Sequence, residues 1–146
     1  MSKFNTIDEL KKFLNSYKFL KIASDISRER YKEVKIIKDE TGGLKATTID
    51  GLPKAAIGKK SSIVENLSEL LDKLERKYIK NVTISLKRLS EIEDIIILCD
   101  EKQQNILELH YIDGLSWEKV AERIGCSVKT AQNRHGQALQ FILKNL

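Results

Sequence analysis

Proline is nearly missing from this chain, with one residue in 146, and seven glycines are spread thinly through it. Such a composition is globular and helix-friendly rather than disordered or fibrous. Only two cysteines occur, Cys99 and Cys126, in apolar surroundings far apart. That spacing supports neither a disulfide framework nor a paired-cysteine zinc site, and both read as buried thiols. The longest apolar run, Ile95 to Cys99, falls far short of the ~20 residues of a membrane span. The lysine-rich amphipathic N-terminus carries no signal-peptide core, so we expect a cytoplasmic protein with no membrane partner. Gly42-Gly43 and Gly58-Lys59-Lys60 lack the spacing of a phosphate-binding loop. Carboxylates are dispersed along helix faces among Lys and Arg rather than gathered for acid-base work. Cys99, His110, Cys126 and His135 are too irregularly spaced for a metal site. The expectation is no enzyme, no metal and no cofactor.

What is present is helix-forming material with an uneven charge. Apolar residues make up 41% and charged residues 32%, with a net charge of +5. Residues 1–60 hold 14 Lys/Arg against 8 Asp/Glu, whereas residues 61–99 hold 6 against 7 and residues 100–146 hold 6 against 6. Within that last block, the final twenty residues carry Lys129, Arg134 and Lys144 and no acid. An acid-free stretch is what an element facing phosphates requires.

Capping boxes and apolar periodicity divide the chain. Thr6 with Glu9 starts a helix that carries Ile7, Leu10, Leu14, Tyr17 and Leu20 at helical spacing. It weakens at Asp25 to Ser27, where it breaks or continues to Asp39, and Thr41-Gly42-Gly43 ends it, giving an N-terminal helical region over 1–43. Residues 44–60 read as a flexible basic linker, with room for a short strand over 44–52. Ser62 with Glu65 opens a long helix over 61–99 in which Val64, Leu67, Leu71, Leu74, Tyr78, Val82, Leu86, Leu89, Ile92 and Ile96 follow at steps of three and four. So sustained a pattern points to homo-oligomerisation through residues 62–98, or to a fold-back onto the N-terminal helix. Asp100 with Gln103 begins a third helix that stops at Asp113-Gly114, inside a C-terminal domain over 100–146.

Residues 107–143 carry the functional signal. Ser116 caps a short helix, with Leu115 and Val120 as its hydrophobic staple. Gly125 supplies a left-handed turn, and Ser127 caps a second helix with Cys126 and Ala131 as staple. Ala121 and Ala131 are small where two helices must cross steeply, the steric pattern of a helix-turn-helix. Val120, Ile124, Cys126, Ala131, Ala138, Leu139 and Ile142 form an inner face. Lys129, Thr130, Gln132, Asn133 and Arg134 are left outward beside Ser127, and these six are the candidate DNA-binding residues. Gln and Asn can bond adenine edges, Arg can take guanine or phosphate, and a helix N-terminus favours phosphate. Trp117 reads mainly as a packing residue with an edge toward the DNA backbone. His110 reads as a core-edge residue, and His135 as a solvent or phosphate-side residue.

Tyr111, Gly114, Ser116, Val120, Ala121, Gly125 and Ser127 resemble the run that precedes the recognition helix in region 4 of bacterial sigma factors, the module that reads the promoter −35 element. The wider order, with Gly51-Leu52-Pro53 ahead of a long helix and this motif, is similar to ArpU and RinA type phage transcriptional regulators. The resemblance implies an all-α fold, double-stranded DNA as ligand and RNA polymerase as partner. Gly136 and the adjacent His135 depart from the region 4 pattern. The chain is too short and too poor in aromatics for the promoter-melting region of a full sigma factor. A helical adaptor, or a small-terminase-like DNA-packaging protein, would use the same residues.

Overall fold

The computed structural model describes the backbone of residues 3–46 and 54–146 and the side chains of residues 3–41 and 63–146. Every regular element among the described residues is helical: α1 (Ile7–Ala46), α2 (Lys54–Ile97), α3 (Glu101–Leu107, continued by a π-helical turn over Glu108–Ile112), α4 (Trp117–Ile124) and α5 (Val128–Asn145). Backbone proximity divides the chain into one unit of residues 1–22 with 85–146 and another of residues 23–84.

The first unit is built around the start of α1. Thr6 Oγ1 accepts from the Glu9 amide at 3.2 Å and the Glu9 carboxylate accepts from the Asn5 amide at 2.8 Å, a capping box displaced by one residue at its second arm. Leu10, Leu14 and Tyr17 then fall on one face and are buried. They share a core with Leu89, Ile92, Ile95 and Ile96 of α2, Cys99, Leu107, Tyr111, and Ala138, Leu139 and Ile142 of α5. Each such fully buried aliphatic side chain contributes roughly 1.5–3 kcal/mol of transfer free energy. The Tyr17 hydroxyl donates to Glu93 Oε1 at 3.1 Å, and burial followed by that carboxylate raises its pKa. From Leu89 onward, the apolar stripe of α2 is therefore covered by its own chain, the fold-back outcome.

The second unit holds the remaining lengths of α1 and α2. Its buried apolar side chains among those described are Val34 and Leu71, while Ile26, Ile36, Ile63, Leu70 and Ile79 are exposed. Lys38 Nζ lies 2.6 Å from Asp72 Oδ1 and 2.6 Å from Glu75 Oε2, and these bonds push the lysine pKa up.

Three expected boundaries move. α1 passes through Asp25 to Ser27 without a break and ends at Ala46 rather than at Thr41-Gly42-Gly43. Intrinsic propensity is a weak prior, about 1 kcal/mol per glycine, and Thr41 Oγ1 is satisfied inside the helix by the carbonyls of Ile37 and Lys38. α2 begins at Lys54, so Ser62 and Glu65 lie within it rather than at its start. The linker expected over 44–60 is thus helical over 44–46 and 54–60. Its centre, with Gly51-Leu52-Pro53 and most of the conjectured strand, lies outside the described residues.

Candidate nucleic-acid interface

The platform for the site is α3 and its wide last turn. Asp100 Oδ1 accepts from the Gln103 amide at 2.8 Å, and the Gln103 side chain accepts from the Asp100 amide, completing a capping box. The helix then widens, with the Asp113 amide reaching back to the Glu108 carbonyl at 2.9 Å. Such π turns often lie beside functional sites. Here the turn serves two cores at once: Leu109 packs with Val120, Ala121 and Ala131 of the helix-turn-helix, while Tyr111 packs into the main core.

Gly114, at φ +71°, releases the chain into α4. Ser116 caps α4 by accepting from the Lys119 amide, and Leu115 packs on the same small core as Val120. Gly125 ends α4 at φ 80° and ψ 38°, with its amide donating to the Ala121 carbonyl at 2.9 Å. A side chain there would be strained by the backbone, although nothing lies within 4 Å of its position. Ala121 and Ala131 are buried at the crossing, as their size demands.

α5 presents the candidate residues in two groups. Ser127 Oγ accepts from the Thr130 amide at 3.1 Å and hydrogen-bonds to Thr130 Oγ1 at 2.8 Å, so these two hydroxyls are engaged in the helix cap. Lys129, Gln132 and Asn133 are exposed and Arg134 is half-buried. Neither Lys129 nor Arg134 meets a carboxylate among the described residues, and α5 contains no acid from Val128 to Asn145. Two amides and two cations thus stand along the first two turns of α5, with Lys129 in the first. The arrangement can hydrogen-bond base edges and neutralise phosphates.

Beside this face lies an aromatic cluster of which sequence reasoning misplaced one member, His135. His135, expected toward solvent or phosphate, is 7% exposed. Its Nε2 lies 2.6 Å from the Tyr111 hydroxyl. The reason is periodicity: His135 falls four residues after Ala131 and four before Leu139, on the same inner face. Burial, then the neighbouring His110 and Lys11, lowers the His135 pKa to about 4, while burial raises that of Tyr111 to about 12. His110 is half-buried, its Nδ1 donating to the Leu115 carbonyl at 2.9 Å. Trp117 stacks on His110 with ring centroids 4.0 Å apart and 18° between planes, and meets His135 edge-on at 4.7 Å. Trp117 therefore ties the first turn of α4 to the π turn, as its packing role anticipates. Both cysteines are free, Cys99 buried and Cys126 half-buried, and burial pushes the Cys99 thiol up to about 11. Among the described residues no three His, Cys, Asp or Glu side chains converge as a metal cage, and no helix is long and apolar enough to cross a membrane.

Comparison with known proteins adds one finding. Residues 91–142 match the family model described as Sigma-70, region 4. The match starts inside α2 and ends in α5, so it takes in the last turns of α2 together with α3 and the helix-turn-helix. No curated protein and no solved structure matches the chain.

Proposed function

We propose that this protein is a sequence-specific, double-stranded DNA-binding transcriptional regulator that inserts the start of α5 into the major groove and acts together with RNA polymerase in the cytoplasm. The observation that carries this reading is the exposed, acid-free first half of α5, with Lys129, Gln132 and Asn133 outward, inside a segment that matches sigma region 4. Gln132 and Asn133 read base edges. Lys129 and Arg134 hold phosphates, and the Ser127–Thr130 cap keeps the helix N-terminus in place to support them. Control of phage or prophage late genes fits the order of a helical N-terminal region, a long helix and a terminal reader. The exposed apolar side chains of the second unit support self-association as well, which would suit paired half-sites.

The deciding experiment is selection of bound sequences from random duplexes with the full chain, followed by sedimentation of the complex. A defined motif, −35-like or palindromic, bound by a monomer or dimer supports the regulator. No enrichment and no affinity at low salt would leave an adaptor. Rings of many copies that bind without strong sequence preference would indicate DNA packaging instead.

A further inference from the structure

α1 lies outside the segment that matches sigma region 4, yet its first turns border the proposed reading face. Between Glu9 and Asp25 this helix carries Lys11, Lys12, Lys18 and Lys21 and no acid. All four lysines are exposed, and none meets a carboxylate among the described residues. Lys11, Asn15 and Lys18 stand at steps of four and three, so they share one edge of the helix. That edge runs beside two open grooves of the first unit. A groove of about 320 Å3 brings Lys11 together with Trp117, Gln132, His135, Gly136 and Gln140. A second, of about 450 Å3, brings Asn15 and Lys18 to Gly114 and Ser116, where α4 begins. Gly136 leaves the first groove open, because no atom lies within 4 Å of where its side chain would stand.

Gln132 makes this geometry informative. It belongs to the outward face of α5, and the groove it lines with Lys11 is continuous with that face. The ammonium is also near enough to lower the pKa of His135. A duplex seated on the Gln132 side of α5 would come close to Lys11, which lines the same groove. Lys11 and Lys18 lie about 10 Å apart along the helix axis, a separation that addresses separate phosphates.

Resting on the reading of α5 as the base-reading helix, we propose that the Lys11–Asn15–Lys18 edge of α1 is a second DNA-contacting element, a phosphate clamp that lengthens the footprint without reading sequence. Its ligand is the phosphodiester backbone of double-stranded DNA. The charge is of the right sign and unpaired among the described residues, and the edge meets the reading face at Lys11.

The test uses the full chain with Lys11→Gln, Lys18→Gln and the double variant, and Lys11→Arg with Lys18→Arg as charge-conserving controls. Lys12→Gln, turned about 100° away on α1 at 3.6 residues per turn, reports on net charge alone. Anisotropy isotherms are taken from 50 to 200 mM salt on a labelled duplex carrying the selected site and on a scrambled one. Each lost phosphate contact lowers the logarithmic salt slope by about 0.9, so the double variant should lose about 2 from the slope. Its deficit relative to the parent then changes about tenfold across that salt range, equally on both duplexes, leaving the preference ratio intact. The arginine variants and Lys12→Gln should keep the parental slope. Parental slopes in both glutamine variants, or an equal loss in Lys12→Gln, would overturn the clamp while leaving α5 as reader. A changed preference ratio would also overturn it, since the clamp reads no sequence. A parent chain that binds neither duplex would overturn the reading of α5 and the clamp with it.

Discussion

At the scale of single residues, reading and holding separate on α5. Changing Gln132 or Asn133 to Ala should cost about 1–3 kcal/mol on the preferred site and little on random DNA, since amide contacts to base edges carry the discrimination. Changing Lys129 or Arg134 to Ala should weaken all sequences alike and lower the salt slope by about 1. Isotherms on selected and scrambled duplexes distinguish the two classes, and four variants that behave like the parent would remove α5 from the interface. His135 makes a different prediction. Its folded pKa is about 4 against about 6.5 when unfolded, so below pH 6.5 the unfolded chain takes a proton that the folded one refuses. Stability is therefore full above pH 6.5 and declines as the pH falls toward 4, by up to about 1.4 kcal/mol per pH unit from this one group. Urea midpoints between pH 7 and 4 check it, and His135→Gln should flatten the decline.

At the scale of elements, the start of α1 and the caps and turns of the C-terminal helices were legible, whereas the end of α1 and the start of α2 were not. Ser116, Gly125 and Ser127 sit where their chemistry places them, because a capping hydroxyl and a left-handed glycine act within four residues and need no distant partner. The end of α1 was misread at Gly42-Gly43 because a glycine costs a helix only about 1 kcal/mol, too little to end one by itself. His135 was misread for a different reason. A polar side chain on the inner face looks anomalous until its partner Tyr111 is known, although its step of four from Ala131 and Leu139 signalled the burial. Two outcomes test the element-level reading. Ser127→Ala should destabilise the domain by about 1 kcal/mol through the lost cap and weaken DNA binding with it, measured by thermal melts and isotherms. Gly136→Ala should raise stability by about 1 kcal/mol, as no neighbouring atom obstructs a methyl group; a lower melting temperature would mean that the groove is tighter than described.

At the scale of the whole molecule, the proposed reader is not the last third of the chain by itself. Its core takes Leu10, Leu14 and Tyr17 from one end and Ile92, Ile96, Leu139 and Ile142 from the other. Residues 100–146 alone should therefore be largely unfolded by circular dichroism, and restoring residues 85–99 should recover only part of the stability. Leu14→Ala in the full chain should cost about 2–5 kcal/mol. The second unit, with Val34 and Leu71 as its buried apolar side chains among those described, should exchange its amide protons sooner than the first. With RNA polymerase core enzyme and this chain alone, transcription should be silent, because its match to sigma factors is confined to the region 4 model over residues 91–142.

The joining of residues 1–22 to residues 85–146 also sets a timetable for biosynthesis. α1 leaves the ribosome first, yet Leu10 and Leu14 find their partners only after α2 and α5 have been made. At about 5–20 residues per second, that wait lasts on the order of ten seconds, during which the leucines lack the side chains they bury against. A ribosome stalled before α5 emerges should hold a nascent chain in which α1 is digested by protease as readily as an unfolded segment. Protection should appear only once Ile142 has cleared the exit tunnel, so an aborted product carries no partly working DNA reader.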